Sequence, residues 1–379
     1  MENYLSYFTK EHILLVLASL FLLCLLIQLC FYLFTFSRLA FFNYKRKNSN
    51  TPPVSVVICA RNELKNLKAF LPAVLEQKYP SFQVVVVNDC SWDETQKFLE
   101  ELEPQYPQLK IVELKEQERY QHGKKFALAL GIKAAAHDLL LLTDADCYPA
   151  TPDWITETVH AYKDSTDIVI GYGAYKKEPG ILNRWIRFDT VFNAMQYLSY
   201  AIGKNAYMGT GRNLSYKRKL FFGNKGFAKH FHILSGDDDL FVNETATKQN
   251  TAVCLTPNAF TFSKAKTTVS DWLAQKKRHM STGFHYKAKH KFALGTFMLS
   301  QILLYPLLFV LLISKFKIEW VCIAFGLRLL IQLFIFGKSM QKLKETDLIW
   351  LIPFFDLLVS IVYPFVSFSN VIVKNKSWK

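Results

Sequence analysis

A chain of 379 residues, 51% hydrophobic and 15% aromatic with a formal net charge of +15, has room for one good-sized soluble domain plus further elements, at roughly 100–200 residues per domain. The positive charge invites a nucleic-acid partner, but much of it abuts apolar runs, where it suits anionic lipid headgroups better. The seven cysteines form no CxxC pair, and Cys24, Cys30 and Cys322 lie inside apolar runs, so neither a zinc site nor a disulfide framework is indicated.

Residues Ile13–Phe36 carry no charged side chain. At about 1.5 Å per residue they cross a bilayer core of roughly 30 Å, and the run is too long for a signal-peptide core. Arg38, Lys45, Arg46 and Lys47 follow this run, whereas Glu2 and Glu11 precede it. Three more apolar runs close the chain: Phe292–Ile313, Ile318–Gly337 and Leu348–Ile372, with Lys287, Lys289 and Lys291 ahead of the first of them. Lys/Arg on both flanks places the middle segment on the cytoplasmic side, and Lys338, Lys342 and Lys344 between the third and fourth runs agree. The C-terminal Lys374, Lys376 and Lys379 disagree if the fourth run spans fully, and Pro353 and Pro364 offer places where it breaks into a re-entrant or interfacial piece. The expected organisation is an anchor over 1–44, a cytoplasmic domain with interfacial helices over 45–290 and a membrane region over 291–379.

Within the middle segment, "VSVVIC" from Val54 reads as a strand. The polar "ARNEL" follows it, and a helical pattern runs through Leu67, Phe70, Leu71, Val74 and Leu75. "QVVVVNDCS" is a second strand, "DETQKFLEEL" a helix and "KIVEL" a third strand. "HGKKFALALGIKAAA" is a helix with a glycine-bearing entry, and "DLLLLTDAD" a fourth strand. Strands alternating with helices imply an α/β domain with a mostly parallel, doubly wound sheet, whose functional residues gather at the strands' carboxyl ends. Those ends carry Arg61–Glu63, Asn88–Asp89 and Asp144–Asp146. Asp144 and Asp146 repel each other unless a cation lies against them. Neither GxGxxG after the first strand nor GxxxxGK[ST] is present, so a phosphate ligand has to be held otherwise. A divalent metal on carboxylates plus the ligand's own diphosphate is the usual alternative.

The ordered set "VVICARNE" (56–63), "NDCSWDET" (88–95), "HGKKFAL" (122–128), "TDAD" (143–146), "MGTGRNLSYKR" (208–218), "SGDDDLF" (235–241) and "QKKRH" (275–279) resembles membrane-bound family 2 glycosyltransferases of the GT-A fold. The resemblance covers nearly the whole polar middle. It implies that Asp89 contacts the nucleotide base and that Glu63 and Lys124 line the nucleotide pocket. Asp144 and Asp146 match the DxD pair that binds Mn²⁺ or Mg²⁺ and the sugar-nucleotide diphosphate. Asp238 matches the general base of a GDD-type motif, with Asp237 beside it as an acceptor contact. Gly209, Gly211 and Asn213 belong to the acceptor and diphosphate region, and Gln275 and Arg278 match a QxxRW motif. Asn88 stands where the family commonly has an acid, which alters hydrogen bonding, and His279 replaces the tryptophan.

The resemblance thus implies an inverting hexosyl- or N-acetylhexosaminyltransferase in a membrane such as a bacterial inner membrane. It would take a nucleotide-sugar, first of all a UDP-sugar, and a lipid-linked or membrane-proximal saccharide acceptor. A processive exopolysaccharide synthase is the nearest alternative, although such enzymes usually have more spans, and an inactive membrane-anchored scaffold is the alternative of another class. Gly209 and Gly211 also read as an ordinary turn, and 181–198 reads either as plain core or as an interfacial helix with Arg184 and Arg187 at the headgroups.

Overall fold

The computed structural model describes residues 2–44, 50–115, 123–233 and 235–372; Lys45, Arg46, Lys47, His122, Lys374, Lys376 and Lys379, used above, lie outside them. The chain separates into two compact units, one of them Phe42–Tyr286 and the other holding the long apolar helices.

The described residues of the Phe42–Tyr286 unit form ten strands: β1 (Val54–Ala60), β2 (Phe82–Asp89), β3 (Leu109–Leu114), β4 (Leu139–Leu142), β5 (Cys147–Pro149), β6 (Ile168–Ile170), β7 (Gly173–Tyr175), β8 (Leu214–Lys217), β9 (Thr251–Val253) and β10 (Thr261–Ser263). Seven form one sheet in the order β3-β2-β1-β4-β8-β6-β9, and β5-β10-β7 form a second. The first four strands pair in parallel, with Val56 opposite Val84 on one side and Leu141 on the other. Val84–Val87 and Leu140–Leu142 are all buried, as continuous apolar runs in parallel sheets require. Helices Leu64–Leu75, Thr95–Leu102 and Lys124–Ala134 provide the crossovers. The last of these packs tightly on the sheet because a Cβ at Gly131 would meet Val57 and Val87 methyls at 2.7 Å. β8 runs antiparallel between β4 and β6, so the sheet is mixed beyond β4.

Helix Ile181–Ile202 belongs to this unit's core. Trp185, Ile186, Phe188, Val191 and Phe192 are buried, and so are Arg187 and Asp189. Of the two readings of this stretch, the plain core is the one observed at Arg187, while Arg184 remains exposed. Lys276 reaches Asp189 at 2.7 Å and Trp272 packs edge-on to Trp185. These contacts fasten helix Val269–Ser281, the carrier of Gln275 and Arg278.

In the other unit four helices among the described residues are long and apolar enough to cross a membrane: Lys10–Ala40, Ala288–Ile313, Ile318–Lys342 and Thr346–Ser369. The fourth is not broken at its prolines: helix Ile352–Ile372 continues through Pro364. Pro353 sits in the first turn, where its missing N–H is no loss, and membrane helices tolerate interior prolines when neighbours re-satisfy the freed groups.

Arg328 and Asp356 were each isolated charges in the sequence; antiparallel helices bring them to 2.8 Å, both fully buried. Around the pair, Arg328 Nε donates to Gln28 Oε1 at 2.7 Å and Nη2 to Tyr32 OH at 2.7 Å. Gln332 and Tyr305 donate to the Asp356 carboxylate at 2.7 and 2.6 Å. All four helices meet in this network, as intramembrane charges demand. Removing one partner of a buried pair leaves the other uncompensated, at about 3–5 kcal/mol. Arg328→Ala and Asp356→Ala should each destabilise by that order, and the double variant by clearly less than the sum. Additive losses in a double-mutant cycle would show that the pair is not coupled.

Candidate active site

The turn after β4 carries the first acids. β4 ends at Leu142, Thr143 Oγ1 donates to the Arg212 carbonyl at 3.0 Å, and Asp144 and Asp146 follow before β5. Ligand atoms of Asp144, Asp146 and Cys147 lie within 4.8 Å of one another. Two carboxylates, the second with no cation bonded to it among the described residues, suit a hard divalent ion on oxygen ligands. The Cys147 thiol is kept protonated, its pKa pushed well above the usual range by burial and then by Asp146 and Asp144, so it is a poor partner for such an ion.

The second group of acids comes from a loop ending at helix Asp239–Thr245. Gly236, with φ +96°, turns the chain where a side chain would be strained. The three aspartates then diverge. Asp237 Oδ2 meets Lys124 Nζ at 2.9 Å. Asp238 is the helix N-cap; its Oδ1 accepts the Asp239 N–H at 2.7 Å and its Oδ2 the Gly211 N–H at 2.6 Å. Asp239 turns inward, where it accepts from the Tyr286 hydroxyl at 2.7 Å and from Thr282. It is a structural tie to the segment after helix Val269–Ser281.

Lys124 unites the two groups of acids. Its Nζ lies 2.9 Å from Asp144 Oδ1 as well as 2.9 Å from Asp237. Burial alone would lower this lysine, but Asp144, Asp237 and Asp238 outweigh that and hold it well above the ordinary range. Burial likewise opposes ionisation of Asp144, but Lys124 wins and its pKa is lowered. Asp146 goes the other way, raised by burial and then by Asp144 and Glu63.

Asp238 is pushed up to about 7, first by burial and then by Asp237 and Asp239, against the pull of Lys124 and the Gly211 N–H. A carboxylate poised there is half ionised near neutrality, as a general base should be. Only the ionised form takes a proton, so kcat/KM should fall about tenfold per pH unit below roughly pH 7 and level off above it. A pH–rate profile flat down to pH 5 would remove Asp238 from the role.

Other sequence-read residues fall at several depths. Glu63, preceding helix Leu64–Leu75, accepts from Asn66 at 2.6 Å, and its charge reaches Asp146. Asp89 is buried at the end of β2. Asn88 turns its amide to Gln96 at 2.8 Å, the altered bonding expected where an acid is missing. Gly211 lies against the acids: a Cβ there would stand 3.4 Å from both Lys124 Nζ and an Asp238 oxygen. Gly209 answers to packing, since its Cβ would meet Leu214 at 2.9 Å. Asn213 is spent on the scaffold, donating to the Tyr172 and Ala259 carbonyls at 3.0 and 2.7 Å and accepting from Trp154. Gln275 bonds Tyr175. Burial first, and then the charges of Arg278, Arg212, Lys276 and Lys124, lower His279 to about 3, so the residue in the tryptophan's place is a neutral imidazole.

Two residues escaped the sequence reading. Arg212, inside "MGTGRN", lays its guanidinium 4.5 Å from the Tyr175 ring centroid and donates to Ser263 Oγ at 3.2 Å. Lys125 donates to the His230 and Ile233 carbonyls at 2.6 and 2.9 Å, bracing the loop that leads to Gly236. The doubled lysine was the only signal for the second.

A family model described as glycosyl transferase family 2 matches residues 55–222. An uncharacterized glycosyltransferase of Haemophilus influenzae is 30% identical over 138 residues, 35% of this chain and 41% of the relative. A dolichol-phosphate mannosyltransferase of Pyrococcus furiosus is 33% identical over 119 residues, 31% of this chain and 32% of the relative. The match thus spans less than half the length of either relative. Among solved structures, the mannosyltransferase PcManGT of Pyrobaculum calidifontis, in complex with GDP-Man and Mn²⁺, aligns with a TM-score of 0.60 at 17% identity. That alignment covers 92% of this chain and 97% of the other, and it bears on the fold alone. Residues 55–222 thus match family 2 glycosyltransferases, and the α/β fold is of the GT-A type.

Proposed function

We propose that the protein is an inverting, metal-dependent glycosyltransferase that moves a sugar from a nucleotide-sugar to a lipid-linked or membrane-proximal acceptor. The observation that carries this reading is the Lys124 ammonium, 2.9 Å from an acid of each motif. It puts the carboxylates suited to a diphosphate and metal beside the one suited to take a proton.

Asp146 and Asp144 would hold a divalent cation, Mn²⁺ or Mg²⁺, which when bound neutralises charge on the departing diphosphate. Asp238 takes the proton of the acceptor hydroxyl as that oxygen bonds the anomeric carbon and the bond to the diphosphate breaks on the opposite face. Each Asp238 oxygen accepts one backbone N–H, and a carboxylate oxygen has a second lone pair for the incoming proton. Glu63, Asp89 and Lys124 form the nucleotide side; Asp237, Gly211, Gln275 and Arg278 form the acceptor and diphosphate side. Lysines and arginines flanking the apolar runs support a cytoplasmic catalytic domain, and four helices of spanning length support a membrane-proximal acceptor.

A UDP-sugar and a GDP-sugar are both to be tested, the latter because a mannosyltransferase of this fold binds GDP-Man. Purified protein with Mn²⁺ and either class of donor should release free nucleoside diphosphate above the rate without protein. No release from any sugar nucleotide tested, with or without added lipid extract, would favour an inactive scaffold instead.

A further inference from the structure

Arg212 occupies a place that the fold builds for it. Its carbonyl is pinned from two sides, by Thr143 at 3.0 Å and Thr261 at 2.9 Å. Asn213, the next residue, is locked into the core by its amide. Gly173 is required alongside, because a Cβ there would stand 2.9 Å from the Arg212 Cβ. The side chain runs over the end of the small sheet, its guanidinium carbon 4.5 Å from the Tyr175 ring centroid, with Nη1 donating to Ser263 Oγ at 3.2 Å and more weakly to the Ala174 carbonyl at 3.5 Å. In that sheet Ser263 pairs with Tyr175 on one side and with Cys147 on the other. The guanidinium therefore stands at the level of the residue that directly follows Asp146.

So placed, Arg212 forms no ion pair among the described residues, and its Nε–H and Nη2–H donate to no protein acceptor among them. Its charge is nevertheless felt by both Asp144 and Asp146. A guanidinium whose charge both carboxylates feel, but which is bonded to neither among the described residues, leaves its planar donor fork for a third party. That fork matches phosphate oxygens. The cation–π contact with Tyr175, itself held by Gln275, holds the guanidinium in place without using its N–H groups.

Resting on the transferase reading above, we propose that Arg212 is a donor-binding residue whose free N–H groups grip the terminal phosphate of the nucleoside diphosphate, with Tyr175 as its positioning residue. This makes the diphosphate, rather than the sugar or base, the group that Arg212 recognises.

Calorimetry on the full-length protein with Mn²⁺, titrated with UDP, GDP, UMP and GMP, tests the proposal. A wild-type protein that binds neither diphosphate would remove the transferase reading itself, independently of Arg212. With a wild-type diphosphate affinity in hand, Arg212→Gln should weaken it roughly 10–100-fold, the size of a charged hydrogen bond, while the matching monophosphate binds as before. Arg212→Lys should fall between, since it keeps the charge and loses the fork. Tyr175→Leu, which leaves the arginine in the chain, should weaken the diphosphate alone and by less than Arg212→Gln. Unchanged diphosphate affinity in Arg212→Gln, or an equal loss for monophosphate and diphosphate across these variants, would overturn the assignment.

Discussion

Asp238→Asn is expected to bind nucleoside diphosphate and metal normally and yet to transfer sugar roughly 10²–10⁴-fold more slowly, the usual worth of a general base. The amide keeps the shape of the carboxylate and can still accept from one of the two N–H groups at 2.6 and 2.7 Å, but it cannot take a proton. The neighbours separate by what they touch. Asp237→Asn frees one of the two acids on Lys124 and should disturb binding together with turnover. Asp239→Asn breaks an interior contact with Tyr286 and Thr282 and should show first as lost stability. Comparing turnover, diphosphate affinity and thermal unfolding for the three variants distinguishes them. Near-normal turnover in Asp238→Asn with a stable, binding-competent but dead Asp237→Asn would move the base by one residue.

For Asp146→Asn the expectation is the reverse, a loss of metal-supported donor binding with the fold intact. Changes to groups merely behind a metal ligand typically weaken metal binding 10–100-fold, and loss of a direct carboxylate should reach at least that. Stability should hold or rise. The raised pKa of Asp146 means that the fold disfavours its ionised form, beside Asp144 and Glu63, and asparagine removes that repulsion. Calorimetry with UDP or GDP, with and without Mn²⁺, reads the first effect and thermal unfolding the second. A variant whose Mn²⁺-dependent affinity matches wild type would end the metal assignment to this pair.

Much of this was legible in the chain because it lay in long, regular patterns. β1, β2 and β4 are mainly apolar runs that cross the centre of the sheet, and the acids at their ends fall where parallel sheets gather function. Arg328 lies ten residues before Lys338 and Asp356 nine after Asp347, so antiparallel helices joined by that loop bring the two charges to about one depth, where intramembrane charges seek partners. β5, β7 and β10 were not readable, since three-residue strands are too short to show a period. Arg212 depends on those strands, which is why its environment emerged only when the small sheet was in view. Helix Ile181–Ile202 shows a different limit. Its Arg187 looked like a headgroup contact, but the helix is apolar on several faces and buries that arginine with Asp189. The continuity through Pro364 depended likewise on neighbouring helices that no single run displays.

The central claim is sugar transfer at the site where Lys124 joins the two groups of acids. Membranes carrying the wild-type chain or Asp238→Asn, incubated with Mn²⁺ and a panel of radiolabelled UDP- and GDP-sugars, test it most directly. One labelled sugar should enter lipid-extractable or polymeric material with the wild type and not with the variant. Labelling that is absent for every donor, or equal for the two proteins, would contradict the account.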